Sequence, residues 1–313
     1  MSLYQYEELD QGPVHMSRLR TLHPGQPKEP VCISLRVSRL DGSSLLSYEA
    51  LSYTWGSTVD FVPIDVYTGP NTVLQIHLRQ SSLGRVLWID SICINKSDLE
   101  ERSAQVAEVS NIYRRAQRVL VWLGPEREES SYAFDLLDNL RSQLVSIDFK
   151  TYTVVSKNPD KKPEFTYTGY EEVLALSKLI HRPWFERLWV RQEVWLANEE
   201  NVLVLCGHRT MAWPAFKNAV GAIWLTGPDP YPKGGGALAE RAKWHERMKL
   251  LWQLVRPPNL TVLNLQDRLQ GVKCSDPRDM IYRILALLDR QSSELGIEPK
   301  TTRSRPPKCT KML

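Results

Sequence analysis

The stretch from Val86 to Gly124 constrains the fold more than any other part of the chain. Val86-Leu87-Trp88-Ile89 is a short apolar run that ends at Asp90. Ser97-Asp98-Leu99-Glu100 then carries the capping-box spacing of a helix start. Val106, Val109, Ile112, Tyr113 and Ala116 recur at helical spacing, while Glu101, Arg102, Glu108 and Arg115 cover the remaining surface. Val119 to Leu123 is a second apolar run, closed by Gly124-Pro125. Strand, helix and strand with so little slack form a βαβ unit, whose strands run parallel with a right-handed crossover. Strands that are apolar along their whole length are buried on both faces. The expected core is therefore α/β, a mostly parallel sheet flanked by helices.

The flanking segments fit around that unit. Pro30 to Arg39 alternates apolar and polar residues, as a half-buried strand does, and a turn at Asp41-Gly42 follows. Tyr48 to Thr54 reads as a strand ending at Trp55-Gly56, where glycine stops the strand and lets backbone approach a neighbour. Ser130 to Leu144 has an amphipathic helical pattern, and Val145 to Thr168 is polar, with Lys157 to Lys162 an exposed loop. Glu171 to Ile180 is helical again, and Pro183 suits the first turn of one helix over Trp184 to Ala197. Asn201 to Cys206 is an apolar strand ended by Gly207. From Met211 the pattern turns helical, with Gly227 to Gly236 separating Ala237 to Leu254 from Pro277 to Asp289. The expected organisation is a lead-in with a strand over 1–44, the α/β domain over 45–210, a C-terminal helical extension over 211–299 and a disordered basic tail over 300–313.

Several function classes are excluded. A net charge of +4, from 40 Lys+Arg against 36 Asp+Glu, is too small and dispersed to argue for nucleic acid. No run of 18 apolar residues occurs, so nothing is expected to span a membrane. Met1 to Asp10 carries acids and tyrosines in place of a basic start and apolar core, unlike a secretory signal. The five cysteines are far apart with no CxxC pair, which argues against a disulfide framework or a zinc site. A reduced, cytoplasmic protein with no metal and no bound cofactor is expected. No glycine-rich phosphate loop appears, and the histidines show no triad-like arrangement with a serine elbow.

Ten tryptophans are many for this length, and they gather in three blocks. The blocks are Tyr48-Glu-Ala-Leu-Ser-Tyr-Thr-Trp-Gly56, then Leu87-Trp-Ile-Asp-Ser-Ile-Cys-Ile-Asn95 continuing to Leu123-Gly124, and Arg182-Pro-Trp-Phe-Glu-Arg-Leu-Trp-Val-Arg-Gln-Glu193. In that order they resemble the signature blocks of the fungal heterokaryon-incompatibility (HET) domain. Tyr4-Gln-Tyr with Leu9 and His23-Pro24-Gly25 resembles the lead-in that often precedes this domain. Asp276-Pro-Arg-Asp279 with Ile281-Tyr282 resembles a motif found downstream of it. The resemblance implies fungal non-self recognition, with the domain triggering growth arrest or cell death. It also implies partners of the same kind, through self-association or other HET or sensor proteins. Two features depart from the family: the stretch from Thr58 to Arg85 is short, with only Leu74 to Gln80 left for its usual helix, and the tail after Pro299 resembles no family continuation.

The HET domain in turn resembles, at a distance, the Toll/interleukin-receptor-like (TIR) domains, several of which hydrolyse NAD; this likeness is one of fold only. It implies a TIR/flavodoxin-like core and NAD as a substrate. TIR enzymes place a glutamate four residues after a tryptophan on a helix, and Trp189-Val-Arg-Gln-Glu193 has that spacing, which puts both on one helix face. The resemblance thus makes Glu193 the catalytic candidate, with Trp189 beside the nucleotide. Tyr53, Trp55, Gly56 and Asp90 join them, since ligands collect at the carboxyl ends of parallel strands. Plainer readings stand alongside. Phe185, Leu188, Trp189, Gln192 and Leu196 define the buried stripe of a helix, with Glu193 at its edge, where a glutamate ordinarily pairs with Arg182, Arg187 or Arg191. Trp189 reads equally as core, Asp90 as a loop cap, and Ser52 and Tyr53 as packing or backbone hydrogen bonds. Two functions follow: an NAD-cleaving signalling enzyme, or a non-catalytic homotypic interaction module that is a truncated or inactive member.

Overall fold

The structure, a computed structural model, describes residues 6, 9, 16–22, 33–39, 47–54, 85–148, 151, 153–158, 160, 170–226 and 237–255. Trp55, Gly56, the short stretch after them, the turn at Asp41-Gly42, the helical pattern over Pro277 to Asp289 and the basic tail lie outside these residues.

The unit legible in the sequence is present as β4 (Arg85–Trp88), α2 (Leu99–Arg115) and β5 (Arg118–Trp122). Its two strands are parallel but are not neighbours. β3 (Glu49–Tyr53) lies between them, pairing Ala50 with Trp88 on one side and Tyr53 with Trp122 on the other. β8 (Val202–Cys206) continues the parallel set beyond β5. Antiparallel strands close both ends. β1 (Met16–Leu22) pairs with β4 and carries β2 (Ile33–Arg39) outside it, while β9 (Arg209–Ala212) folds back on β8. The sheet has the order β2-β1-β4-β3-β5-β8-β9. Counted over the parallel strands alone this is 2-1-3-4, the doubly wound order, whose switch point falls between the first and third strands, here β3 and β5.

β5 shows why the central strands are apolar: Val119, Leu120 and Val121 are all at most 1% exposed because both faces are covered. Along β3 the faces differ. Tyr48 and Ala50 join the main core, while Leu51 packs on the opposite face with Leu87, Ile89, Leu120 and Leu205. The main core gathers Phe134 and Leu137 of α3 (Ser130–Gln143), Leu176 of α4 (Tyr170–Ile180) and Phe216 of α6 (Trp213–Thr226). Trp244 and Met248 of α7 (Ala237–Gln253) enter the same core.

Several expectations need correcting. α2 is capped by Asp98 and not Ser97; its carboxylate accepts from the amides of Glu100 and Glu101 at 2.9 and 3.0 Å. Glu101 was expected on the solvent face, but it is buried, because its carboxylate accepts from the Asn95 amide at 2.7 Å and ties down the preceding loop. In the polar stretch after α3, β6 (Leu144–Asp148) and β7 (Thr153–Ser156) make a small antiparallel pair against α6, a hairpin the sequence pattern did not announce. The single helix expected over Trp184 to Ala197 is broken. Pro183–Glu186 is a 3₁₀ turn, Arg187 is extended, and α5 covers only Trp189–Trp195. α5 also has no exposed side, since Val190 to Trp195 are all buried, so a one-sided stripe does not describe it.

Candidate functional site

β3 ends at the switch point, and its last inward side chain is Ser52, which is fully buried. A hydroxyl in that position needs partners. Trp184, from the 3₁₀ turn, donates its indole N–H to Ser52 Oγ at 2.8 Å. Ser52 Oγ in turn donates to Glu193 Oε2 on α5, 141 residues away in sequence. An indole nitrogen only donates, so Ser52 Oγ accepts from Trp184 and keeps its own proton for the carboxylate. The break in the helix makes this possible: it lets Trp184 and Glu193 approach the same strand residue from separate elements. The neighbouring Gln192 donates to Ser110 of α2, which fastens α5 to the βαβ helix.

The other groups at the strand ends lie close by. Tyr53 donates to Ser91 Oγ at 2.6 Å, just past β4, and its own carbonyl accepts from Arg187. Asp90 opens the short helix α1 (Asp90–Cys93). Burial first, and then the charge of Asp90, raise the Tyr53 phenol above its ordinary pKa, against the pull of Ser91 and Arg187. Tyr113 of α2 is buried, donates to the Leu51 carbonyl at 2.9 Å, and packs edge-on to Trp88 at 5.7 Å. Its phenol is raised well above the ordinary range, first by burial, then by the negative charges of Glu193 and Asp90, with Arg187 opposing. Glu193, Asp90, Tyr53 and Arg187 therefore all stand within electrostatic reach of one buried hydroxyl. Burial lowers the Lys96 ammonium, with Asp90 opposing and Arg102 and Arg187 adding to the fall.

Of the residues singled out in the sequence, Tyr53 reaches the start of α1 at Asp90 and Ser91 from one face of β3, while Glu193 meets Ser52 on the other. Trp189 is half-buried and packs against the main core, while Trp55 and Gly56 lie outside the described residues. Glu193, expected to pair with Arg182, Arg187 or Arg191, accepts a bond from Ser52. Arg187 goes to the Tyr53 carbonyl, and Arg191, fully buried, donates to Gln253 Oε1 at 3.0 Å. Arg182, 2% exposed, holds the loop after β5. It donates to the carbonyls of Leu123, Pro125 and Arg127 and to Cys206 Sγ, all between 2.9 and 3.2 Å. That loop carries left-handed backbone at Glu128 and Glu129, a conformation that persists only where its surroundings enforce it.

Sequence reasoning left the roles of Ser52, Trp184 and Tyr113 open. One signal was available for the first: in Tyr48-Glu-Ala-Leu-Ser-Tyr the inward positions are Tyr48, Ala50 and Ser52, and a polar residue facing a core must be hydrogen-bonded. Among the described residues, no group of three or more His, Cys, Asp or Glu is placed to hold a metal ion, and no helix is long and apolar enough to cross a membrane.

The comparisons with known proteins agree with the blocks that build this site. Residues 48–193 match the family model described as heterokaryon incompatibility protein (HET). The chain is 28% identical over 202 residues to a protein named "Heterokaryon incompatibility protein 6, OR allele" from Neurospora crassa, an alignment covering 53% of this chain. The chain spans only 29% of that relative's length. No solved structure matches. The matched span, just under half of the chain, runs from Tyr48, through Ser52, Asp90 and Tyr113, to Glu193, so the residues that build this site are those that resemble the heterokaryon incompatibility (HET) family.

Proposed function

We propose that this chain is a fungal incompatibility protein whose HET domain cleaves the nicotinamide–ribose bond of NAD, with growth arrest or cell death as the consequence. The observation that supports this reading is the bond from Ser52, near the carboxyl end of β3 at the β3/β5 switch point, to the buried Glu193 carboxylate, with Tyr53 and Asp90 at the ends of the same strands. Breaking the glycosidic C–N bond builds positive charge on the ribose, and a fixed carboxylate in a water-poor site stabilises it. Water then adds to the ribose carbon, and the products are nicotinamide, ADP-ribose and a proton. Glu193 faces the ribose, Tyr53 and Asp90 orient its hydroxyls, and Trp189, one helical turn before Glu193, stacks on a ring of the substrate. The name of the Neurospora crassa relative supports the incompatibility role.

The test is nicotinamide release by purified, assembled protein, with Glu193→Gln as the comparison. The glutamine keeps an acceptor for Ser52 and removes only the charge. Loss of release of about 100-fold or more is expected; release that is absent in the natural protein, or unchanged in the variant, overturns the enzymatic reading.

One observation favours a second reading. Glu193 is 5% exposed and its carboxylate already accepts from Ser52, as a purely structural acid would. In that reading the chain is a non-catalytic module that signals by self-association or by docking with other HET or sensor proteins, through exposed helix faces such as Arg102 and Arg114 of α2. It predicts that cell death on overexpression survives Glu193→Gln and is lost when Arg102 and Arg114 are both changed to Glu.

A further inference from the structure

We propose that Ser52 is a positioning residue for Glu193: its hydroxyl, itself oriented by the Trp184 indole, aims the Glu193 carboxylate and holds it as the anion. The proposal rests on the reading of Glu193 as the catalytic carboxylate and assigns a role to the residue behind it. Burial alone favours the neutral acid, because the charged form loses its water. A hydroxyl that donates to the carboxylate stabilises the charged form specifically. Ser52 is committed to that task, since its lone pair accepts the indole N–H at 2.8 Å and its own proton is left pointing at Glu193. Donation into the hydroxyl polarises it and strengthens its onward bond.

The same molecule contains the wiring without the charge. Trp88 donates its indole N–H to Ser17 Oγ at 3.1 Å, and Ser17 Oγ donates to Gln105 Oε1 at 2.9 Å. All three of those residues are buried, as are Trp184, Ser52 and Glu193. An indole–hydroxyl chain that only fills a core can end on a neutral amide. The one at the strand ends finishes on a carboxylate.

The experiment uses the full chain and follows two signals with pH: nicotinamide release from NAD, and the side-chain carboxyl resonance of Glu193 in ¹³C-labelled protein, assigned by its loss in Glu193→Gln. In Ser52→Ala the acid limb of kcat/KM and the Glu193 titration both move up by about one pH unit, the scale of one charge-assisted hydrogen bond. Ser52→Thr, which keeps the hydroxyl, restores both. Trp184→Phe moves them in the same direction by less, and Ser17→Ala leaves them where they are. If Ser52→Ala does not fold, Ser52→Cys, a weaker donor, gives an intermediate upward shift. An unmoved Glu193 titration in the Ser52 variants, or an equal shift in Ser17→Ala, overturns the proposal. Absence of nicotinamide release from the natural protein would defeat the NAD reading alone, because the carboxyl titration still decides the role of Ser52.

Discussion

Two buried chains of the same design run through the core, and Tyr113 is within reach of both. One runs from Trp88 through Ser17 to Gln105 and ties β4, β1 and α2 together. The other runs from Trp184 through Ser52 to Glu193 and ties the 3₁₀ turn, β3 and α5 together. Tyr113 touches the first through its ring, edge-on to Trp88, and senses the charge of the second through its phenol. Both chains satisfy polar atoms that would otherwise be stranded, so both specify the packing of the elements they join. They differ in the last atom. The amide of Gln105 has one protonation state, whereas the carboxylate of Glu193 has two. The difference separates a polar chain that serves the fold from one that can also serve chemistry.

Exchanging the ends breaks the comparison most severely. Gln105→Glu puts a carboxylate at the end of the structural chain and should destabilise the protein by roughly 2–4 kcal/mol at neutral pH. The introduced acid has its folded pKa raised by burial, so its deficit should shrink as pH falls and grow as pH rises through that value. Urea unfolding at acidic and neutral pH measures it, and equal stability at both would show that the two ends are equivalent.

High pH is the next lever. Tyr48 and Tyr113 are buried, and burial pushes both phenols above their ordinary pKa of 10.0. Their unfolded forms ionise first, so the contribution is complete below pH 10 and is lost as pH rises above it. Each group should remove about 1.4 kcal/mol of stability per pH unit in that window. Tyr113→Phe should lose its share of this slope while Tyr48 keeps its own, which unfolding at a series of alkaline pH values resolves.

Removing an indole donor is milder. Trp88→Phe and Trp184→Phe should each cost about 1 kcal/mol beyond the lost packing, since each leaves a serine oxygen short of its donor. Paired urea titrations check that the two costs agree, while NAD turnover changes only with Trp184. The smallest effect belongs outside both chains. Arg209 bridges Asp135 and Asp138 at 2.7 and 3.0 Å at the surface, and Arg209→Ala should cost less than about 1 kcal/mol because solvent screens the pair.

How far the sequence foretold this is clearest at particular residues. β4, α2 and β5 were legible because their apolar spacing is dictated by burial on known faces. β1 was not: Met16-Ser-Arg-Leu-Arg-Thr-Leu22 has little of the β-branched or aromatic character of a strand, and it is one because β2 and β4 pair with it. The place of β3 between β4 and β5 was also hidden, because sequential strands need not be neighbours. At the site, the resemblance to TIR enzymes proposed Glu193 and strand ends proposed Tyr53 and Asp90, each from a local stretch of sequence. The link from Ser52 to Glu193 spans 141 residues, and no periodicity reports a bond of that length. The broken helix at Arg187 was missed for the same reason: Pro183 marks a first helical turn, but the turn is 3₁₀ and its exit is set by contact with β3.

The most direct test compares Glu193→Gln with Arg182→Met in one preparation, measuring unfolding in urea and nicotinamide release from NAD. Arg182 is a buried charge bound to backbone carbonyls, so its loss should cost roughly 3 kcal/mol of stability. The account predicts that Glu193→Gln keeps stability to within about 1 kcal/mol while turnover falls about 100-fold or more. A Glu193→Gln protein that unfolds as readily as Arg182→Met, or that turns over NAD as fast as the natural chain, would contradict it.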